Sequence, residues 1–589
     1  MASSDPPTLP PATIRVPDPS GPTLSIQAGI DAAYASTDPQ VVIVVAPGTY
    51  AENLTIDLSQ LDAGQELVIA SSDGPDTTII DGGRVDRAVL VEATGPIAFG
   101  ASLRFGWVVD ASDDLSDHAG WHGFTIELGS IDETSVPPMG AGVLIDGADM
   151  ADPLVSGSIE FRGNVIRDND ANGFTSGAGV AVAGSTRVSF IVNEIHDNTL
   201  EGWEAGVGPG GGAGVFSVGS ELQLARDAIH HNGFAAIDAD LDAEGGGVAV
   251  RNGSITLCES EIHHNQGKRG GGVWIHVGDS STPAIQGFVH LESNVIADNG
   301  VWLPPNPATA STQTYLGDGL YVEALEVNPY TLEIWNNDFH RNDIFVPSGF
   351  SSGPVGASPT EAGGGVFLWL ILPDEVFPSI EGNFLRNNRA QDQGGGAWLY
   401  ARHLAPGAGQ LNYVKFFNNS MVGNTLDDTA TGVGAGYFAA GEPTLGAGAG
   451  NTKLRGDSNL VFSNVPFQDE WYAECPFDPG APLDPTEPWG YSQMLPPGAT
   501  LDCSSTPHWD LFAGTANDDA DPDIRVDQPP DFDPRLKDVG SPCVDTANPS
   551  PDLDITEDID GQVRRFDVPT IGNTGVDLDR GGDELFLLR

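Results

Sequence analysis

Histidine recurs at one position of a short motif in this chain of 589 residues. It is His196 in Asn193-Glu-Ile-His-Asp-Asn198, His230 in Asp227-Ala-Ile-His-His-Asn232, His263 in Ser260-Glu-Ile-His-His-Asn265 and His340 in Asn337-Asp-Phe-His-Arg-Asn342. His231 and His264 follow directly. Imidazoles on successive repeats could share a divalent metal or titrate together near neutral pH. Lys268-Arg269 comes just after His263-His264 and just before Trp274. These are the parts for removing the C5 proton of a uronic acid, a base plus a cation that neutralises the substrate carboxylate. Lys268, Arg269, His263 and His264 are therefore the candidate catalytic set, although the turn Gln266-Gly-Lys-Arg269 is too short to build a deep wall.

Binding chemistry points elsewhere. Trp203, Trp302 and Phe350 lie in long insertions where they could stack on sugar rings, and His196, His230 and His340 complete the candidate binding set. Asp552, Asp554, Asp558 and Asp560 alternate in a loop that ends at Gly561 and offers hard oxygen ligands to Ca2+. That loop lacks the bidentate twelfth-position Glu of an EF-hand. Acidic pairs such as Asp113-Asp114 and Asp427-Asp428 could serve a glycosidase, but a chain with 83 acids produces such pairs by chance.

The bulk composition narrows the partners. Asp and Glu outnumber Lys and Arg by 83 to 25, for a formal charge of -58. Nucleic acid or an anionic membrane would be repelled. Only Lys268, Lys415, Lys453 and Lys537 are lysines, a surface suited to a cation-rich medium. At 40% hydrophobic residues the chain folds, and it has no apolar run approaching the ~20 residues of a membrane-spanning helix.

The elements that position these residues are repeats. The unit Asn/Asp/Ser-x-apolar-x-x-Asn occurs nine times, from Asn164-Val-Ile-Arg-Asp-Asn169 to Asn459-Leu-Val-Phe-Ser-Asn464. Its closing asparagines are 29, 34, 33, 34, 43, 46, 36 and 40 positions apart, a floor length with variable insertions. A Gly-x-Gly followed by an alternating apolar strand follows most copies, as in Gly270-Gly-Gly-Val-Trp-Ile275 and Gly394-Gly-Gly-Ala-Trp-Leu399. Such short strands cannot bury a face alone, but stacked at ~4.8 Å they enclose one apolar column. Asparagines at equivalent corners would then hydrogen-bond from rung to rung. In that register the third position of the unit points inward and the fourth outward, so Arg167, His196, His230, His263, Ala297, His340, Arg386 and Val422 form an external column.

With its Gly-Gly-Gly-Val strands and its Phe161-Arg-Gly-Asn164, Phe190-Ile-Val-Asn193 and Phe339-His-Arg-Asn342 pieces, the chain resembles right-handed parallel β-helix repeat proteins. These form the pectate-lyase-like superfamily, which includes bacterial surface proteins. The stretches Ile26-Gln-Ala-Gly-Ile30, Val45-Ala-Pro-Gly-Thr-Tyr-Ala-Glu-Asn53 and Thr78-Ile-Ile-Asp-Gly82 are similar to the entry segment of such helices. The resemblance spans residues 24–465 and implies an all-β solenoid. It does not extend to the strings that carry activity. Arg-x-Pro-x-x-Arg of pectate lyases is missing, as are Asn-Thr-Asp, Gly-His-Gly and Arg-Ile-Lys of polygalacturonases.

The expected organisation has four parts. Residues 1–23 are disordered or extended; 24–139 hold a short amphipathic capping helix with Ile26, Ile30 and Ala33 on one face, then the first rungs. Residues 140–465 are regular rungs, and 466–589 an acidic, loop-rich C-terminal segment. Ser541-Pro-Cys-Val-Asp545 and Asp558-Ile-Asp-Gly-Gln-Val-Arg-Arg565 resemble the C-terminus of surface β-helix proteins of the choice-of-anchor type, which implies envelope attachment. Cys475 is expected to pair with Cys503, which implies an oxidising compartment, while Cys258 reads as a buried small hydrophobe and the partner of Cys543 stays open. An export signal is expected to have been removed ahead of Met1. The expectation is a secreted or cell-surface β-helix that binds polysaccharide or envelope glycan, the alternative being a polysaccharide lyase or hydrolase with its cleft along the loop edge.

Overall fold

The structure, a computed structural model, describes residues 12–17, 25–106, 123–132, 134–147, 158–173, 175–184, 186–201, 211–234, 244–277, 288–302, 315–324, 331–345, 361–372, 378–390, 393–403, 412–417, 419–426, 435–441, 452–457, 460–462, 471–475 and 491–492. These fall into two compact units, residues 1–201 with 213–228 and residues 202–212 with 229–589. Each is a stretch of right-handed parallel β-helix, as the repeats predict. Among the described residues no helix is long and apolar enough to cross a membrane.

The first unit begins one strand earlier than the sequence suggests. Ala12–Val16 (β1), inside the stretch expected to be disordered or extended, pairs in parallel with Gln40–Val45 (β2). Between them the expected helix forms over Ile26–Ala33 (α1) and buries Ile26, Ile30 and Ala33. Ser25 Oγ accepts from Ala28 N at its start, and the Glu52 carboxylate accepts from the backbone N–H groups of Ile26 and Gln27, each at 3.0 Å. Four otherwise unpaired N–H groups open any helix, and an anion there also suits the helix dipole. Deeper in this unit Phe105, Phe161 and Phe190 stack through the column at 5.1 and 5.2 Å.

Every rung has three walls. In the second unit the first wall contains Ser254–Cys258, Phe288–Glu292, Thr331–Trp335 and Ser379–Glu381. The short second wall is built from the Asn unit, with Glu261–His263, Val295–Ala297, Asp338–His340 and Phe384–Arg386 in register. The third wall follows Gly-x-Gly and contains Val273–Val277, Leu320–Ala324, Val366–Leu372 and Ala397–His403, again parallel and in register. Ile262, Ile296, Phe339, Leu385 and Met421 point into the core, so the third position of each unit is inward as expected.

Two asparagine ladders run inside the corners on either side of the second wall. Asn265 Nδ2 donates to Asn299 Oδ1 at 3.1 Å, Asn299 to Asn342 at 3.2 Å, Asn342 to Asn388 at 3.0 Å and Asn388 to Asn424 at 3.1 Å. The opening asparagines do the same, from Asn294 to Asn337 at 2.8 Å and from Asn337 to Asn383 at 3.0 Å. The second hydrogen of each amide goes to a main-chain carbonyl of the preceding rung, as from Asn342 to Ile296 O. The corners themselves are made by left-handed residues just before each ladder asparagine, such as Ser293 at φ 57° and Asp298 at φ 53°.

The ladder also explains Gly-x-Gly. Gly317 sits at φ 62°, and a Cβ on Gly319 would lie 2.4 Å from Gly365 O and 2.9 Å from Asn342 Nδ2. The glycine is where the third wall passes against the ladder amide. Gly319→Ala should therefore destabilise the second unit by roughly 1–3 kcal/mol through overpacking. Chemical denaturation would show it, and an unchanged midpoint would contradict this account of the motif.

Candidate functional site

The outward positions of the third wall in the second unit align along the axis. Trp274, Tyr321, Phe367 and Trp398 form one row, and His276, Glu323, Trp369 and Tyr400 the next, by strict register. The first row is buried although it faces away from the core, because each Gly-x-Gly turn folds back over it. A Cβ on Gly394, for example, would touch Trp398 Cβ at 2.9 Å. Its rings stack nearly parallel, Tyr321 on Phe367 at 5.0 Å and Phe367 on Trp398 at 4.3 Å.

The second row is half-buried and chemically mixed. Trp369 stacks on Tyr400 at 4.6 Å, and both residues are half-buried. One rung earlier, Glu323 Oε2 accepts from Tyr321 Oη at 3.3 Å and lies 3.1 Å from His276 Nδ1. Burial pushes the Glu323 carboxyl up, but the His276 bond, the His276 and Arg269 charges and the Tyr321 bond outweigh it and hold it below the usual carboxylate value. Arg269 is joined to Glu244 at 2.5 Å across neighbouring rungs. This face combines an apolar aromatic edge with donors, acceptors and a fixed carboxylate.

Part of the expected histidine column forms a compact array in the second unit. His230 stacks on His263 at 4.8 Å and His231 on His264 at 5.0 Å, each pair within 5° of parallel. Within each dipeptide the two Nδ1 atoms are 2.9 Å apart, a contact in which one ring must donate and the other accept. Burial, and then the neighbouring His230, His264 and His231, push His263 down to about 4, with Asp298 opposing. A folded-state value below the ordinary 6.5 means the unfolded chain takes up this proton first. This contribution to stability is therefore present above about 6.5 and lost as the pH falls towards about 4.

The other predicted residues are dispersed. His196 Nδ1 lies 2.7 Å from Asp197 Oδ2, in the first unit. His340 lies 3.1 Å from Asp338 Oδ2, and the same carboxylate takes two bonds from Arg386 at 3.0 and 2.6 Å. Burial raises Asp338, but the bonds to His340 and Arg386 prevail and hold it at about 2. Lys268 is 5% exposed, so its ammonium is not displayed on the surface, and Arg269 faces Glu244 rather than the histidines. Trp302 closes strand Gly300–Trp302, with only its backbone described. Trp203, Phe350, Asp552, Asp554, Asp558, Asp560, Cys503 and Cys543 lie outside the described residues.

Cys258 corrects one expectation. It ends a strand as predicted, but Ile255 and Leu257 take the inward positions and its thiol is only half-buried, on the outer face. The third-wall rows were also missed, although Val-Trp-Ile-His, Leu-Tyr-Val-Glu, Val-Phe-Leu-Trp and Ala-Trp-Leu-Tyr carry them openly in the sequence. The alternation of each strand, compared at equivalent positions after Gly-x-Gly, is the signal that finds them.

Residues 141–369 match the family described as right-handed beta helix region. No curated protein and no solved structure gives a significant match.

Proposed function

We propose that this right-handed β-helix is an exported glycan-binding protein whose binding surface is the outer face of the third wall in its second unit. The observation that carries the reading is the juxtaposition of the half-exposed Trp369–Tyr400 pair with the His276–Glu323 pair. The uncovered aromatic surface suits the C–H patches of sugar rings, and a carboxylate with an imidazole suits their hydroxyls. The rungs are spaced ~4.8 Å apart, so such a surface meets a long chain at several points. The low lysine content and the charge of -58 favour a cation-rich exterior, where Ca2+ could be held by the acidic loop at Asp552 to Asp560. Lyase chemistry has less support, because Arg269 already faces Glu244 and Lys268 is buried.

Binding to an array of neutral and acidic polysaccharides tests this reading. Trp369→Ala with Tyr400→Ala should weaken the captured glycan by about 10- to 100-fold, at roughly 0.5–1.5 kcal/mol per aromatic contact beyond area alone. Glu323→Gln, a smaller change, should also weaken it while leaving the far-ultraviolet circular dichroism intact. An array on which the intact protein retains nothing, or equal binding by all three proteins, would sink the proposal.

A further inference from the structure

We propose that Cys258, His290 and Glu292, on the outer face of the first wall in the second unit, form a binding site for a single divalent transition ion of the zinc class. Register brings them together. Cys258 sits directly beside Glu292 on the next rung, and His290 lies two residues before Glu292 on the same strand and the same face. One ligand atom from each of the three lies within 4.8 Å of the others, and all three residues are half-buried. A tetrahedral zinc with its usual bond lengths needs such atoms about 3.3–3.7 Å apart, within reach of small side-chain rotations.

The surroundings orient the imidazole for this purpose. His290 Nδ1 lies 2.9 Å from Glu333 Oε2, so this nitrogen donates its proton to a carboxylate of the following rung. Nε2 is thereby directed to the other side, where it lies 3.0 Å from Glu292 Oε2. A carboxylate behind a metal-binding histidine fixes its tautomer and raises its basicity. Trp335 packs edge-on against the ring at 5.3 Å, and its own Nε1 is anchored to Ser379 Oγ at 3.1 Å, which limits rotation of His290. In the ion-free protein Nε2 shares a proton with Glu292; on binding, that proton and the thiol proton are released and the ion takes their place. Sulfur, nitrogen and oxygen donors together match zinc far better than Ca2+, which takes oxygen alone. Three protein ligands on a half-exposed face leave a fourth position for water.

The test uses the full chain, reduced and stripped with chelator, titrated with Co2+ as a spectroscopic stand-in and then with Zn2+. One equivalent of Co2+ should bind with thiolate-to-metal charge-transfer absorption, and one equivalent of Zn2+ should displace it. Cys258→Ser should abolish that absorption, and His290→Gln should weaken binding. Glu333→Gln, which removes no ligand, should lower affinity by about 10- to 100-fold. Native circular dichroism must accompany each variant. The proposal falls if the parent protein shows no charge transfer at stoichiometric Co2+. It falls equally if Cys258→Ser leaves the band unchanged, which would place the ion on another cysteine.

Discussion

Asn342→Ala is expected to remove about 3–5 kcal/mol from the stability of the second unit, although the residue touches no surface. Its side-chain oxygen accepts from Asn299 N and Asn299 Nδ2, both at 3.2 Å, and its amide donates to Ile296 O at 2.8 Å and Asn388 Oδ1 at 3.0 Å. Alanine would leave the Asn299 main-chain N–H and one side-chain N–H without their acceptor, and Ile296 O without this donor. All lie in a corner where Asn299 and Asn342 are essentially inaccessible. Each orphaned buried group costs about 1–3 kcal/mol. Urea denaturation of parent and variant checks this, with exposed Glu261→Ala on the same wall as the control. A loss below ~1 kcal/mol would mean that the ladder is ornamental.

The second large effect concerns pH. In the first unit the ladder of opening asparagines meets Asp227, whose Oδ1 accepts from Asn193 N at 2.7 Å and Asn193 Nδ2 at 3.0 Å, and whose Oδ2 accepts from Ala225 N at 3.0 Å. Burial nevertheless dominates and pushes its carboxyl up to about 7, against the pull of those bonds. A folded-state value raised above the ordinary 3.8 means that the folded chain holds the proton more tightly than the unfolded one. Stability from this group is thus full below about 4 and is lost as pH rises to about 7. At 1.36 kcal/mol per pH unit the loss is on the order of 4 kcal/mol.

Asp227→Asn should abolish that dependence, since an amide occupies the same place at Asn164 and Asn193 without a charge to desolvate. The variant should exceed the parent in melting temperature by clearly more at pH 8 than at pH 5. Thermal denaturation at both values reads the difference, in which all unchanged carboxylates cancel. An equal shift at the two pH values would show that Asp227 is ionised in the fold throughout. His263 titrates in the opposite sense over part of the same range, so its contribution in the second unit must not be confused with this one.

The β-helix was legible because its constraints repeat. A buried corner that accepts only an amide, and a passing strand that accepts only glycine beside it, print the same letters every rung, whatever the loop between them. Position four is partly exposed at Arg167, His196, His230, His263, His340 and Arg386, whereas Ala297 and Val422 are buried. Chemistry that lies across rungs was harder to see. His290 meets Glu333 and Glu292 meets Cys258 only after insertions of unequal length are folded out of the way, so sequence distance carries no hint of contact. The third-wall rows are hidden for another reason, because their aromatics occur inside strands that read as core. Burial on both faces of a strand blurs the alternation from which inside and outside are judged.

All of the ladder amides point the same way. Within each unit the side-chain carbonyl of every asparagine faces the start of the chain and one N–H faces its end, as in the bonds from Asn164 to Asn193 and from Asn388 to Asn424. Dipoles arranged head to tail add and polarise one another. The stack is therefore electrically vectorial, with its carbonyls directed to one extremity and its N–H groups to the other. Anything that extends or seals it must arrive with the matching sense, just as a magnet accepts its neighbour by only one pole.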